Sequence, residues 1–544
     1  MVINDVIGRL KASKRREDRN SDHTDRHSGT LQAVRATLER DGHIYHRDTE
    51  ARNIIGAICE GNQALADAEW RAILKSGYVV DVSKWVPEPH RGGKWYAWRD
   101  YVEGEIRFAN FIVEYAHKGG NGTIVYGEPG TGKTHSVAES IIEWIKETKS
   151  TKPKPKLIVG SALNFSARNL ENKIAELCQD KTILDEVKVR TVHASHSVTV
   201  DPSQYKSGQM LDVGLFVLDE LGQLGTDAAG MAAERWHKNA NVILSIGPGQ
   251  LLPVGPGQIA EDLLKCLELN PMKGWTLDEK KDNFRLKTKD GTEEANGIVE
   301  FFRAVKDGNV EKYEKLGFKY ENDRGLLLIP AKKSRTKSEQ AGDWLGIREF
   351  VPAILELYNT SYYGPSVSGS TKFFCPLDRL GSEEIAARYK EIECEQKGQT
   401  VTLGVDKFLA GEEVVMTDPG KAELRIGACK GTPLIVVEML EEKNKIRVQD
   451  DIKREFVVDR DQIRRSRAIT GHSAQGLETD IGVVALLWSR VTTRRWLYTA
   501  VSRCRKVCIV HYQENGLNRT VANAPSRRTL FSVFFEKFRQ ERNI

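Results

Sequence analysis

Residues Gly127-Glu128-Pro129-Gly130-Thr131-Gly132-Lys133-Thr134 fit the pattern G-x-x-x-x-G-K-[ST] without a mismatch. They lie between an apolar run, Thr123 to Tyr126, and a helical stretch, Ser136 to Lys146. This segment constrains the fold more than any other, because a strand must feed a glycine-rich loop that in turn opens a helix. Glycines let backbone N–H groups close around phosphate oxygens, and the positive end of the helix favours the anion. Lys133 is placed to reach the β and γ phosphates and Thr134 to hold Mg²⁺, with His135 next along the first helical turn. The segment reads as a site for a nucleoside triphosphate with Mg²⁺, formed by Gly127 to His135. A chance glycine-rich turn is the competing reading, and the strand and helix on either side argue against it. A kinase, a GTPase and a motor could all carry such a loop.

A chain of 544 residues is too long for one core and points to three or four domains. Its 81 basic residues are nearly offset by 76 acidic ones, so a nucleic-acid surface requires local clustering of charge. The eight cysteines contain no C-x-x-C pair, which disfavours a zinc site and favours reduced thiols. No secretory signal opens the chain, and the longest apolar run, Ile481 to Trp488, is far short of the ~20 residues that span a bilayer. The expectation is a soluble intracellular protein, in cytoplasm, nucleus or a viral replication site.

Residues 1–45 are charged and poor in apolar side chains, and read as a disordered or loose arm. Residues 46–118 read as an accessory domain: apolar positions recur at helical spacing from Ala51 to Lys75. Trp85, Trp95, Tyr96 and Trp98 then interleave with Arg91, Lys94 and Arg99. Packing of these aromatics is favoured over stacking on bases. From 119 to 275, short apolar runs alternate with helical segments, the pattern of a parallel sheet covered by helices. A second set of apolar strands follows at Leu326 to Ile329, Thr371 to Phe374, Ile481 to Leu487 and Val507 to Val510. These assign 276–400 and 463–513 to a second α/β unit. Between its halves, 401–462 alternates apolar and polar residues as a small β-barrel would. A helical tail is expected over 514–544.

Leu215-Phe216-Val217-Leu218-Asp219-Glu220 is an apolar strand that delivers two carboxylates to the carboxyl edge of a sheet, where ligands of open α/β folds bind. Asp219 is assigned to Mg²⁺ and Glu220 to polarising the attacking water.

The next strand leads into Gly247-Pro248-Gly249-Gln250-Leu251-Leu252-Pro253-Val254, and here the order of features resembles the superfamily 1 helicases. Their third motif reads approximately G-D-x-x-Q-L-P-P-V, which puts the γ-phosphate glutamine on Gln250 and leaves Ile246 and Gly247 where glycine and aspartate are usual. Asp282-Asn283-Phe284-Arg285 resembles the fourth motif and implies a phosphate arginine at Arg285. Gly471-His472-Ser473-Ala474-Gln475-Gly476-Leu477-Glu478 is similar to the fifth, and Trp496 to Arg505 to the sixth, which implies an arginine finger at Arg503. Lys133, Glu220, Gln250, Arg285 and Arg503 thus form the implied catalytic set. Weaker resemblances assign Ser161, Phe165, Thr191 and His193, with Thr470, His472 and Ser473, to nucleic acid. Phe165 is nearly as well read as core. Ser195 to Gln209 reads as a surface loop or, less well, a strand-separating hairpin.

The T-x-H motif, Q-G-x-E and the stretch Phe408 to Val415, similar to F-x-x-G-D-x-V, favour the RecD-like branch, superfamily 1B. The resemblance spans about Asn121 to Gln513. It implies two RecA-like domains with an SH3-like barrel insertion, and an ATP-dependent motor that moves 5′ to 3′ on single-stranded DNA. RNA as the track and a degenerate, non-hydrolysing scaffold are the alternatives, and replication or repair proteins are unspecified further partners. Lys133→Ala is expected to lower polynucleotide-stimulated ATPase by about 10²-fold or more; unchanged turnover would remove the motor reading.

Overall fold

The computed structural model describes residues 28–196, 211–237, 239–284, 297–314, 319–321, 324–330, 371–376, 386–387, 390–391, 394–395, 398–403, 407–420, 428, 431–440, 444–450, 453–486, 491–512 and 516–544. Arg285, residues 197–209 of the hairpin reading and the lysine-rich run 332–337 lie outside them.

The first sheet has six strands, in the order Val189–Thr191, Leu157–Ser161, Leu215–Asp219, Asn241–Ile246, Gly122–Gly127 and Trp275–Lys280. All five neighbouring pairs are parallel. Alternate residues of a strand face opposite sides, so the uniformly apolar Leu215–Asp219 strand needs cover on both. Leu215 and Val217 pack under the helices Lys133–Thr148 and Asn164–Leu177. Phe216 and Leu218 face the opposite layer, built from Arg99–His117, Thr226–Glu234 and Ile259–Leu269.

The second sheet orders Lys319–Glu321, Arg324–Pro330, Cys504–Tyr512, Thr479–Leu486, Thr371–Cys375 and Ala468–Thr470. It is parallel except for the hairpin at its first edge. The segment inserted between Thr371–Cys375 and Ala468–Thr470 forms a separate antiparallel sheet: Glu455–Asp459, Lys445–Asp450, Pro433–Met439, Glu413–Met416 and Ile463–Arg465. Its two edge strands are joined by a single 3₁₀ turn, Arg460–Gln462, so the sheet must curl toward a barrel. Phe408 and Glu412 serve its interior. The Glu412 carboxylate accepts from Arg465 Nε at 2.6 Å, and that guanidinium lies 4.4 Å from the Phe408 ring centre. Both partners of this ion pair are buried, so removing either would strand a charge.

Within the segment read as a loose arm, residues 28–45 depart from that reading. Ser28–Glu39 is a helix with Val34 fully buried, and Arg35 pairs with Glu39 and Asp100 while lying over the rings of Trp98 and Tyr101. What decides the matter is one apolar face and a clamped arginine, which average composition does not register. The helical periodicity from Ala51 to Lys75 divides into Asp48–Ile58 and Gln63–Ser76. Trp85, Trp95 and Trp98 are buried, so this aromatic cluster packs and does not offer faces to bases.

The C-terminal segment belongs to the first unit's core. Phe531, Phe534, Phe535 and Phe538 recur at helical spacing and are all buried in the layer that includes Arg99–His117. Phe535→Ala is expected to destabilise the first unit by about 3–5 kcal/mol, read by urea denaturation. A loss below about 1 kcal/mol would contradict this packing.

Candidate nucleotide cleft

The Gly122–Gly127 strand lies inside the first sheet, between Asn241–Ile246 and Trp275–Lys280, and the loop at its carboxyl end meets the Lys133–Thr148 helix. Lys133 is buried, and its ammonium donates to the carbonyls of Gly127 at 2.9 Å and Glu128 at 3.0 Å. The loop is braced from within by Thr131, whose hydroxyl donates to the Glu128 carbonyl at 2.8 Å. A cleft of about 730 Å³ opens over the loop, lined by Pro129, Gly130, Gly132, Lys133, Thr134 and His135. Asp219, Glu220, Gln250 and Arg503 line the same cleft. Residues from both sheets thus converge on one volume. Glu128 differs from its neighbours: its carboxylate turns to the second unit, 2.8 Å from Arg303 Nε and 3.1 Å from Lys306 Nζ.

Asp219 ends the central Leu215–Asp219 strand and is 2% exposed. Burial and the adjacent Glu220 carboxylate push its acid up to about 7, opposed by a hydrogen bond from Ser245 and by Lys133. Its Oδ1 is buried with no protein partner, which fits a site prepared for a cation. Glu220 adopts φ 56° and ψ 46°, the left-handed region, where a residue with a Cβ costs about 1–2 kcal/mol. The surrounding structure holds that strain, and the carboxylate remains on the cleft wall.

Across the cleft, Arg503 Nη2 donates to Gln250 Oε1 at 2.9 Å, both side chains buried. The joint is reinforced around that bond. Leu251 N–H donates to Thr499 Oγ1 at 2.9 Å, Gln475 Nε2 to the Leu251 carbonyl at 3.0 Å, and Arg495 grips Glu261 with both arms. The departure at Gly247 has a physical reason. A Cβ there would stand 2.6 Å from Gln250 Nε2, so the glutamine side chain occupies the space that any larger residue would need.

Among the residues to which sequence reasoning gave no role, Phe284 and Glu478 belong to the cleft, as do Asn169, Asn172, Lys173 and Glu176 of the Asn164–Leu177 helix. Phe284 N–H donates to the Gly130 carbonyl at 3.0 Å and Asn283 Nδ2 to that of Pro129 at 3.1 Å, which fixes the Phe284 ring over Gly132 at the mouth. Phe284 is 57% exposed. An aromatic set inside the motif assigned to Arg285, left that open to solvent, was the available signal.

The residues assigned to nucleic acid divide. Thr191 and Thr470 end edge strands of the first and second sheets, both at carboxyl ends. Thr191 caps the short Val192–Ser195 helix that carries His193, and burial lowers the His193 pKa. Thr470 Oγ1 bonds Ser473 Oγ at 3.1 Å, leaving Ser473 exposed. His472 is half-buried, and burial lowers its pKa. Ser161 differs from the expectation: it is fully buried, because the strand end that carries it is covered by the next helix. Phe165 also differs, lining the nucleotide cleft beside Gly476.

Among the described residues, no cluster of three or more His, Cys, Asp or Glu gathers for a metal, and no helix is long and apolar enough to cross a membrane. The seven described cysteines form no disulfide.

Family comparisons agree with this division of labour. The sequence profile of an AAA domain matches residues 109–281, and that of the UvrD-like helicase C-terminal domain matches 465–511. No curated protein matches the chain. Solved structures similar to it include Pif1 helicases described for DNA unwinding at forked duplex DNA, at 15% identity over 80% of this chain and 96% of that one, with TM-score 0.38. Pif1 from Bacteroides in complex with ADP-AlF3 and ssDNA matches at 15% identity over 77% and 94%, TM-score 0.36. Pif1 from Candida albicans matches at 11% over 79% and 98%, TM-score 0.34.

Gly247→Asp would fill the space under Gln250 and push its side chain off Arg503. The neighbour that must yield is a flexible side chain, so the protein is expected to fold normally. Loss of a charge-assisted bond worth about 1.5–3 kcal/mol predicts a fall in ATPase kcat of about ten-fold or more. A kcat equal to that of the unaltered protein would contradict the assignment.

Proposed function

We propose that this chain is a superfamily 1 helicase that couples ATP hydrolysis to 5′-to-3′ movement along single-stranded DNA and to unwinding of the duplex ahead. The observation that carries the proposal is the convergence of Lys133, Thr134, Asp219, Glu220 and Gln250 from the first sheet with Arg503 from the second on one cleft. A nucleotide cradle built by one sheet gains its last cation only when the other is docked, which is the arrangement a ligand-driven two-state motor requires.

In this reading the γ-phosphoryl group lies between Lys133 and Arg503. Lys133 exchanges its bonds to the Gly127 and Glu128 carbonyls for phosphate oxygens. Thr134 and Asp219 would hold Mg²⁺, whose charge neutralises the phosphate oxygens, as the unpartnered Oδ1 of Asp219 suits. Glu220 orients and polarises the attacking water. Arg503 spreads its charge over the developing transition state, a role worth about 10³–10⁵ in rate where such fingers act. Gln250, bonded to Arg503, reports the state of the cleft to the loop beyond it. Phe284 offers a flat apolar face to the base.

The track runs past the carboxyl ends of the edge strands, by way of Thr191, His193, Thr470, His472 and Ser473. Hydroxyls and helix ends bind backbone phosphates without reading sequence. One cycle of closing and opening advances the strand by about one nucleotide, roughly 3.4 Å. DNA is preferred over RNA because the T-x-H, Q-G-x-E and Phe408-to-Val415 segments resemble the RecD-like branch. The domains of the motor are the proposed 119–275, 276–400 with 463–513, and 401–462, with two edges moved, since the first sheet runs on to Lys280 and the inserted sheet to Arg465. The seven described cysteines, none in a disulfide, suit a reducing intracellular compartment.

Duplexes bearing a 5′ or a 3′ tail, in DNA and in RNA, test substrate and direction together. The expected result is ATP-dependent unwinding of 5′-tailed DNA. Activity confined to 3′ tails would overturn the direction, activity confined to RNA the track, and the absence of polynucleotide-stimulated ATPase the motor itself.

A further inference from the structure

The segment that returns from the second unit to the first carries one arginine whose environment the motor motifs do not explain. After the Gly516–Ala522 helix the chain leaves the second unit, and it re-enters the first at the Phe531–Glu541 helix. Between them, Arg527 inserts its guanidinium beneath the loop that follows Gln250. Its Nη1 donates to the carbonyls of Gly255 at 2.8 Å and Gly257 at 2.5 Å, and its Nη2 to that of Pro253 at 2.8 Å. Three carbonyls of one turn are thereby held by one rigid fork, a task for which lysine, a single point donor, is poorly shaped.

The segment between the Ser28–Glu39 helix and the accessory domain closes the other side. Gly42 lies so near that a Cβ there would stand 2.2 Å from Arg527 Nε, and the Gly42 carbonyl accepts from Gly257 N–H at 2.8 Å. The guanidinium is therefore enclosed between that segment and the loop. Burial and the nearby Arg495 pull its pKa from the ordinary value down to about 10, with Glu261, already gripped by Arg495, the one carboxylate that opposes them. A cation kept in so unfavourable a place contributes through its directed bonds, since it has no ion pair of its own to offset the cost.

The loop it holds joins two sites. Gln250 and Leu251 contact the second unit through Arg503, Thr499 and Gln475, the last in the same segment as Thr470 and Ser473. The carbonyls of Pro253, Gly255 and Gly257 contact Arg527. A loop anchored at one end only would absorb a displacement of Gln250 by flexing. Anchored at both, it passes that displacement on to the Leu251–Gln475 contact and so to the segment that carries Thr470 and Ser473.

We infer that Arg527 is a positioning residue of the motor: by clamping residues 253–257 it makes the Gln250 loop a stiff link between the nucleotide cleft and the nucleic-acid face. The inference rests on the functional reading above. Arg527 is not among the residues that line the nucleotide cleft, so its loss leaves the chemistry intact and uncouples it from the polynucleotide.

The full-length protein and its Arg527→Lys, Arg527→Ala and Arg528→Gln variants test this. Basal ATPase, ATPase with saturating single-stranded oligo(dT) and thermal unfolding are measured for each. The lysine variant keeps the charge and guards against a misfolded alanine variant. Arg528 lies on the same returning segment but bonds Glu50 at 3.1 Å in the accessory domain, away from the loop. The expected result is basal ATPase within about two-fold of the unaltered protein, stimulation by oligo(dT) reduced about ten-fold in both Arg527 variants, and stimulation retained in Arg528→Gln. Full stimulation in Arg527→Lys and Arg527→Ala overturns the inference. An equal loss in Arg528→Gln also overturns it, because the effect would then belong to the segment as a whole. If the unaltered protein shows no stimulation, the motor reading fails and not the clamp.

Discussion

The Arg503 guanidinium and the Gln250 side-chain carbonyl meet 2.9 Å apart in a joint closed to bulk water, and this contact joins two sheets that are otherwise built separately. A charge-assisted bond of this kind is strong only when both partners are stripped of water and held in line. Each requirement falls on a different part of the chain. The first sheet must deliver Gln250 at the end of Asn241–Ile246, with Gly247 small enough to let its side chain lie back. The second must pack the Arg494–Val501 helix against its own core so that Arg503 emerges at the right height. A modest shift of either sheet would leave a buried amide and a buried cation unpaired, so packing far from the cleft is felt within it.

Around that joint the charges are sorted by sheet. Glu128 and Glu261 lie on the first unit, and Arg303, Lys306 and Arg495, which pair with them, lie on the second. These pairs are partly exposed, and solvent-accessible ion pairs contribute about 0–1 kcal/mol each. Weak pairs suit a surface that must open and reclose, because they guide alignment without locking it. A buried pair such as Glu412–Arg465 appears instead inside the insertion, which has its own core and no need to part.

What the sequence disclosed, and what it withheld, follows the range of the forces involved. The loop at Gly127 to Thr134, the acidic end of Leu215–Asp219 and the strands of both sheets are local patterns, set by backbone geometry and the alternation of faces. Phe284, Arg527 and the burial of Ser161 depend on which surfaces meet after folding, and no spacing along the chain encodes that. The Ser28–Glu39 helix was hidden by charge: one buried valine and one clamped arginine outweigh a polar composition when a partner surface is ready. The aromatic run around Trp95 and Trp98 resolved as packing because its rings interlock with others, Trp95 with Tyr45 and Tyr96 with Trp70, while Arg528 lies over Trp95 and Arg35 over Trp98.

The docking of Phe531–Glu541 against Arg99–His117 and Ile259–Leu269 bears on how the molecule is made. A ribosome releases the first sheet long before the phenylalanine stripe that covers its outer layer has been synthesised. Until then, the apolar flank formed by Phe108 and Leu263 has no lid. The first unit can therefore reach a native-like sheet early while its last layer waits for a segment about two hundred and fifty residues downstream of Trp275–Lys280. In the interval an exposed apolar seam is available to chaperones or to another nascent chain.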